Sequence, residues 1–141
     1  MMGASKTGWV LTGLVGTFMI LASASGKFLV PAPPMVAETA THLGWPLERY
    51  PLLGALEVGV TLLVLVPRTS FVGTILLTGY LGGACATHAR IGDPSGAMPV
   101  VLGVLAWVGW GLRNPAALRA ALGGASAATR NEGNPVLPNE S

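Results

Sequence analysis

Phe71-Val-Gly-Thr-Ile-Leu-Leu-Thr-Gly-Tyr-Leu-Gly-Gly-Ala-Cys-Ala-Thr-His-Ala89 is the stretch whose reading decides the fold. It lies in a run, residues 69–89, that holds no Asp, Glu, Lys or Arg. A hydrocarbon core about 30 Å thick is crossed by roughly 20 helical residues, so this run is long enough to span a bilayer. Residues 7–26 and 94–112 are equally free of charge, and residues 50–67 carry a single charged residue, Glu57. These runs predict four spans, about 8–26, 51–67, 70–89 and 97–113. The expected fold class is all-α, a four-transmembrane-helix antiparallel bundle within residues 1–122, with a disordered tail over 123–141.

Composition agrees. Of 141 residues, 51% are apolar and only 10% are charged, against about 25% charged in soluble domains. The mean hydropathy is +0.61. The basic residues stand singly between the spans, and the formal net charge is only +2, which gives no basic patch for nucleic acid. One cysteine, Cys85, excludes an intrachain disulfide framework, a CxxC motif and a dithiol relay within the chain. Inside an apolar helix it reads as a small packing residue.

Outward from the third span, the punctuation is clear. Gly8–Ser25 is the first apolar run, with Trp9 at its start and Lys27 closing it. Lys6 and Ala22-Ser23-Ala24 also fit a secretory signal peptide, but the run continues to Gly26 and reads as an uncleaved helix. Pro31, Pro33 and Pro34 stop any helix after Val30. Met35–Gly44 has the spacing of a short amphipathic helix, too short to span, and Trp45 and Tyr50 suit a membrane interface. This segment is expected on the bilayer surface over one mouth of the bundle, with His42 a solvated interfacial histidine.

Pro51 opens the second span and Pro67-Arg68 ends it. The short turn to the third span makes these two antiparallel neighbours. Gly79 and Gly83 form a GxxxG pair, and Thr78, Gly82 and Ala86 a second small row. Both read as helix packing, within the chain or in a homo-oligomer or with a protein partner. Ile91–Gly96 is a turn, Trp107, Trp110 and Arg113 close the fourth span, and Pro115–Leu122 is expected on the membrane surface. With four spans both termini share a side. That side holds Lys6, Arg68, Arg113, Arg119 and Arg130, against Lys27, Arg49 and Arg90 on the other, so both termini are expected to be cytoplasmic in a multi-pass protein of a cell inner membrane.

The topology gathers polar residues in the outer half of the bundle. Glu57 lies six residues into its span, about 9 Å along the axis. A lipid-facing acid there would be penalised by a few kcal/mol, and Gly54 and Thr61 share its stripe, so Glu57 should face inward. His88, near the outer end of the third span, is its expected partner in proton handling, with Lys27, Tyr80, Thr87 and Arg90 as ligand-binding or electrostatic neighbours. Glu57, His88 and Asp93 have no HxxxH or ExxH spacing, and no metal is expected. Two readings stay open. In one, the site binds a quinone or another small lipophilic molecule and handles protons, in redox or isomerase-type chemistry. In the other, Glu57 pairs with Lys27 or Arg90 and ties helices together in a non-catalytic scaffold or accessory subunit. Direct contact of Glu57 with either cation in a closed pocket would favour the second.

Four pieces of sequence together resemble the DoxX-like family of small four-helix membrane proteins. They are Ser25-Gly26-Lys27-Phe28-Leu29, Leu53-Gly54-Ala55-Leu56-Glu57-Val58-Gly59, Gly82-Gly83-Ala84-Cys85-Ala86-Thr87-His88, and the closing Arg113. The resemblance covers roughly residues 8–113 and implies a four-helix membrane bundle. It also implies kinship with membrane subunits of a thiosulfate:quinone oxidoreductase and with membrane partners of oxidative-stress complexes, hence a soluble oxidoreductase as the partner. The single cysteine departs from related redox conduits that use cysteine pairs.

Overall fold

A computed structural model describes residues 2–124; most of the expected tail, including Arg130, lies outside the described residues. Among the described residues the structure is helical without strands. Helix α1 (Met2–Thr17) runs on through a π-helical segment, Phe18–Ala24, and a 3-10 turn, Ser25–Phe28. The Ser25 N–H donates to the Ile20 carbonyl, the i→i−5 spacing of a π-helix. The prolines after Val30 end this helix as expected, and Pro34 starts α2 (Pro34–Leu43). Gly44 closes α2 at φ +69°, a left-handed conformation that favours glycine. Then come α3 (Tyr50–Leu65), α4 (Ser70–Arg90), α5 (Ala97–Arg113) and the short α6 (Pro115–Arg119).

Four helices form a ring. α1 packs on α5 and, through its π segment, on α3; α3 packs on α4, and α4 on α5. Chain neighbours run antiparallel because the α3–α4 and α4–α5 connections are short. Val15, Met19, Val64, Leu77, Leu81, Leu102 and Ala106 meet at the centre. The polarity is that of a membrane bundle. Thr12, Glu57, Thr61, Ser70 and Thr74 are buried, while Leu14, Leu21, Leu56, Leu62, Val72 and Val101 point outward. Water would penalise such an apolar exterior; lipid does not. The buried threonines Thr12, Thr61 and Thr74 donate to carbonyls four residues back in their own helices, so they add no unmet donors to the core.

Three helical segments are long and apolar enough to cross a membrane: Ser5–Phe28, Ser70–Arg90 and Pro94–Arg113. α3 has 16 residues, about 24 Å of helix, and falls short of that length.

The glycines that let helices touch are not the ones the GxxxG pattern suggests. A Cβ on Gly73 would lie 2.5 Å from the Leu63 carbonyl carbon, and one on Gly8 would lie 2.8 Å from the Gly109 carbonyl oxygen. At Gly79, Gly82 and Gly83 a Cβ would meet nothing within 4 Å. α4 presents Gly73, Thr74, Leu77 and Leu81 to the bundle, which turns the GxxxG face away from the rest of the chain. That corrects the expectation of packing within the chain.

The end of the bundle that carries the α3–α4 turn holds a cluster of aromatics and one arginine. Phe71, Trp107 and Trp110 cluster with ring centroids 5.2–6.3 Å apart, and Trp107 Nε1 donates to Thr78 Oγ1 at 2.9 Å. The Arg113 guanidinium lies 3.8 Å from the Trp9 ring centroid and donates to the Val64 carbonyl at 3.2 Å, so one side chain joins α1, α3 and α5.

Candidate functional site

The site is assembled by the close approach of the 3-10 turn Ser25–Phe28 to α3. Gly54 permits it: a Cβ there would lie 2.9 Å from Phe28 Cζ and 3.2 Å from Lys27 Cβ. Lys27 is thereby delivered to Glu57, one turn further along α3. Lys27 Nζ forms an ion pair with Glu57 Oε2 and also donates to Ser23 Oγ at 3.1 Å and Tyr80 Oη at 3.4 Å. The Tyr80 hydroxyl, from α4, donates to the same Oε2 at 3.0 Å. Glu57 is 1% exposed and the Lys27 side chain 16%. Charge, countercharge and hydroxyl thus come from three helices.

The cluster is nearly saturated. Ser23, Glu57 and Tyr80 lie around the ammonium, and Oε2 has two donors. Glu57 Oε1 is buried and has no hydrogen-bond partner. A carboxylate oxygen in this position is costly unless something donates to it.

His88 is not part of the cluster. Its Nδ1 lies 2.8 Å from Asp93 Oδ2, and His88 is eight residues beyond Tyr80 on α4, about 12 Å along the axis. The expected Glu57–His88 pair is therefore replaced by Lys27–Glu57–Tyr80 and, at a rim beside the α4–α5 turn, His88–Asp93. Two more expected neighbours point elsewhere. Thr87 Oγ1 donates to the Gly83 carbonyl at 2.9 Å in its own helix, and Arg90 Nη2 donates to the Leu43 carbonyl at 2.7 Å. Ser23, which sequence reasoning missed, sits one helical turn before Lys27, the i−4 spacing that brings side chains together.

The rim is a second polar centre. Asp93 Oδ1 accepts from the Ser95 N–H at 2.9 Å, and Oδ2 faces both His88 Nδ1 and, at 3.4 Å, His42 Nε2. The Ser95 backbone N–H first, and then His88, hold the Asp93 carboxyl below the usual carboxylate range. Glu38, His42, Leu43 and His88 line an open groove of about 480 Å³ beside it. Among the described residues no three His, Cys, Asp or Glu side chains are grouped to hold a metal ion.

With this geometry in hand, the comparison with known sequences is informative. Residues 10–109 match the DoxX-like family, well over half of the 141 residues. The chain belongs to the DoxX-like family. Neither a curated protein nor a solved structure matches it. The matched region contains both polar centres of this DoxX-like chain and stops just short of Arg113. Family membership and three membrane-length apolar helices make it an integral membrane protein in a lipid environment.

Proposed function

We propose that this DoxX-like protein crosses a cell inner membrane four times with both termini cytoplasmic, and that Lys27–Glu57–Tyr80 is its working site. The site receives a small lipophilic molecule and exchanges a proton with it through Glu57. The observation that carries this reading is the buried, unpartnered Glu57 Oε1. It also constrains the ligand. Lys27 and Tyr80 already donate within the cluster, so the open valence is an acceptor and the ligand must bring the donor. A hydroxylated aromatic lipid such as a quinol meets that requirement; an oxidised quinone, with carbonyls only, does not. Glu57 is the proton carrier, Tyr80 and Lys27 hold its other oxygen, and His88 has no part in it.

The test uses the purified protein in lipid nanodiscs and titration with a short-chain quinol and its quinone. The quinol should bind more tightly. Glu57→Gln, which gives up the charged acceptor, should weaken quinol binding roughly tenfold or more, the value of a hydrogen bond to a charged group. Equal affinity of wild type and variant for the quinol would overturn the reading.

The direct Lys27–Glu57 ion pair favours a second reading, a non-catalytic scaffold or accessory subunit in which the cluster ties α1, α3 and α4 together. The open Gly79–Gly83 face of α4 then receives a helix of another chain, from a second copy or a protein partner such as an oxidoreductase. In that case Glu57→Gln lowers thermal stability and changes no ligand affinity.

A further inference from the structure

Cations that stand singly in the sequence are gathered by the fold at one end of the bundle. The contacts of Arg113 define that end: its guanidinium covers the Trp9 ring on α1 and donates to the Val64 carbonyl on α3. Lys6 precedes Trp9 by three residues, about one helical turn, and Arg68 follows Val64 by four, in the α3–α4 turn. Arg119 ends α6, just after α5. Among the described residues this end carries the cationic side chains of Lys6, Arg68, Arg113 and Arg119 and no Asp or Glu. Lys6, Arg68 and Arg119 are exposed. At the opposite end acids offset the cations: Lys27 pairs with Glu57, and Arg49 and Arg90 share that end with Glu38, Glu48 and Asp93.

We propose that this end of the bundle is a docking surface for anionic phospholipid headgroups of the surrounding bilayer, with the phosphates received by Lys6, Arg68 and Arg113 and the acyl chains lying on the apolar exteriors of α1 and α3. The charge is complementary to a phosphate and is unopposed by local acids among the described residues. Arg113 spends one printed bond on Val64, and a guanidinium has five N–H donors, in a fork that suits phosphate oxygens. Apolar side chains continue directly from the cations. Val10, Leu14 and Phe18 follow Lys6 at every fourth residue, and all three are exposed, as are Leu62 and Val66 on α3 just before Arg68. Trp9 is exposed beside Arg113, the place of an aromatic at a membrane interface. Cation, aromatic and apolar stripe thus match the order of phosphate, glycerol and acyl chain in a phospholipid. An acidic protein segment would meet the cations and leave the apolar stripe unmatched. A zwitterionic headgroup would bring its own ammonium against them. This inference is independent of what Glu57 binds and of which membrane side this end faces.

Native mass spectrometry of the full chain in detergent, titrated with phosphatidylglycerol or phosphatidylcholine of matched chains, reads the surface directly. The first phosphatidylglycerol should bind roughly fivefold more tightly than the first phosphatidylcholine, the attraction of one basic residue to an anionic membrane surface. Lys6→Gln combined with Arg68→Gln, both at exposed positions, should bring the two lipids within about twofold of each other. Arg49→Gln, which removes the same charge from the opposite end, should leave the preference intact, and an excess of inorganic phosphate should not displace the lipid. Equal binding of the two lipids by the wild type would overturn the proposal and leave the cations to an acidic protein segment. A full preference in the double variant would overturn it as well, and so would an equal loss in Arg49→Gln or displacement of the lipid by inorganic phosphate.

Discussion

At the scale of single residues, Glu57 governs the energetics. A buried ion pair gains little over a well-packed apolar pair, whereas removal of one partner leaves an uncompensated charge and costs about 3–5 kcal/mol. Lys27→Met should therefore destabilise the bundle by about that amount, and Lys27→Met with Glu57→Leu should recover most of it; a double variant no more stable than the single one would contradict the assignment. Tyr80→Phe removes one donor to a charged acceptor and should cost about 1.5–3 kcal/mol, read as a loss of thermal stability in detergent. The inward face of Glu57 was legible, because an acid between apolar residues has few alternatives in lipid. Its partner was only partly legible. Lys27 and Tyr80 were among the candidates, yet His88 stood first because it is the more evident proton group. Register decides against it: Glu57 lies eight residues before the end of α3 and Tyr80 ten after the start of α4, so counting outward from the turn sets Tyr80, not His88, opposite Glu57.

Among the elements, the glycines separate two roles that a small-residue pattern cannot distinguish. Gly73 lies against the α3 backbone, and Gly73→Leu should exceed the about 1–3 kcal/mol typical of overpacking or prevent folding. Gly79→Leu, on the open face of α4, should change thermal stability by no more than about 0.5 kcal/mol; a large loss would mean that this face is covered in the folded chain. If the protein self-associates through α4, the same variant shifts it toward the monomer in native mass spectra. The kind of each helix was readable from apolar runs and proline stops. Which face each turns inward depends on where its neighbours sit, and α4 has small residues on more than one side. The π segment Phe18–Ala24, which packs on α3, was not legible, since no residue in it demands a wider turn.

Considered whole, the described bundle buries five polar side chains beside its apolar core and leaves many bulky apolar side chains on its exterior. α3 is the weak point of the four-span reading, at 16 residues. Its two ends, Arg49 and Arg68, should label from opposite membrane faces when each is replaced by cysteine in a Cys85→Ala background and treated with an impermeant thiol reagent. Labelling from one face would reduce α3 to a re-entrant element. The membrane class, the helical architecture and the short connections follow from the sequence alone, because lipid rewards long uncharged runs and proline ends helices wherever it falls. The tertiary structure decided which polar groups meet. Contact between Lys27, Glu57 and Tyr80 depends on helix register and on the room left at Gly54, and the approach of His42 to Asp93 depends on where α2 lies on the bundle. Both are distances between residues far apart in the chain, and such distances are set by packing.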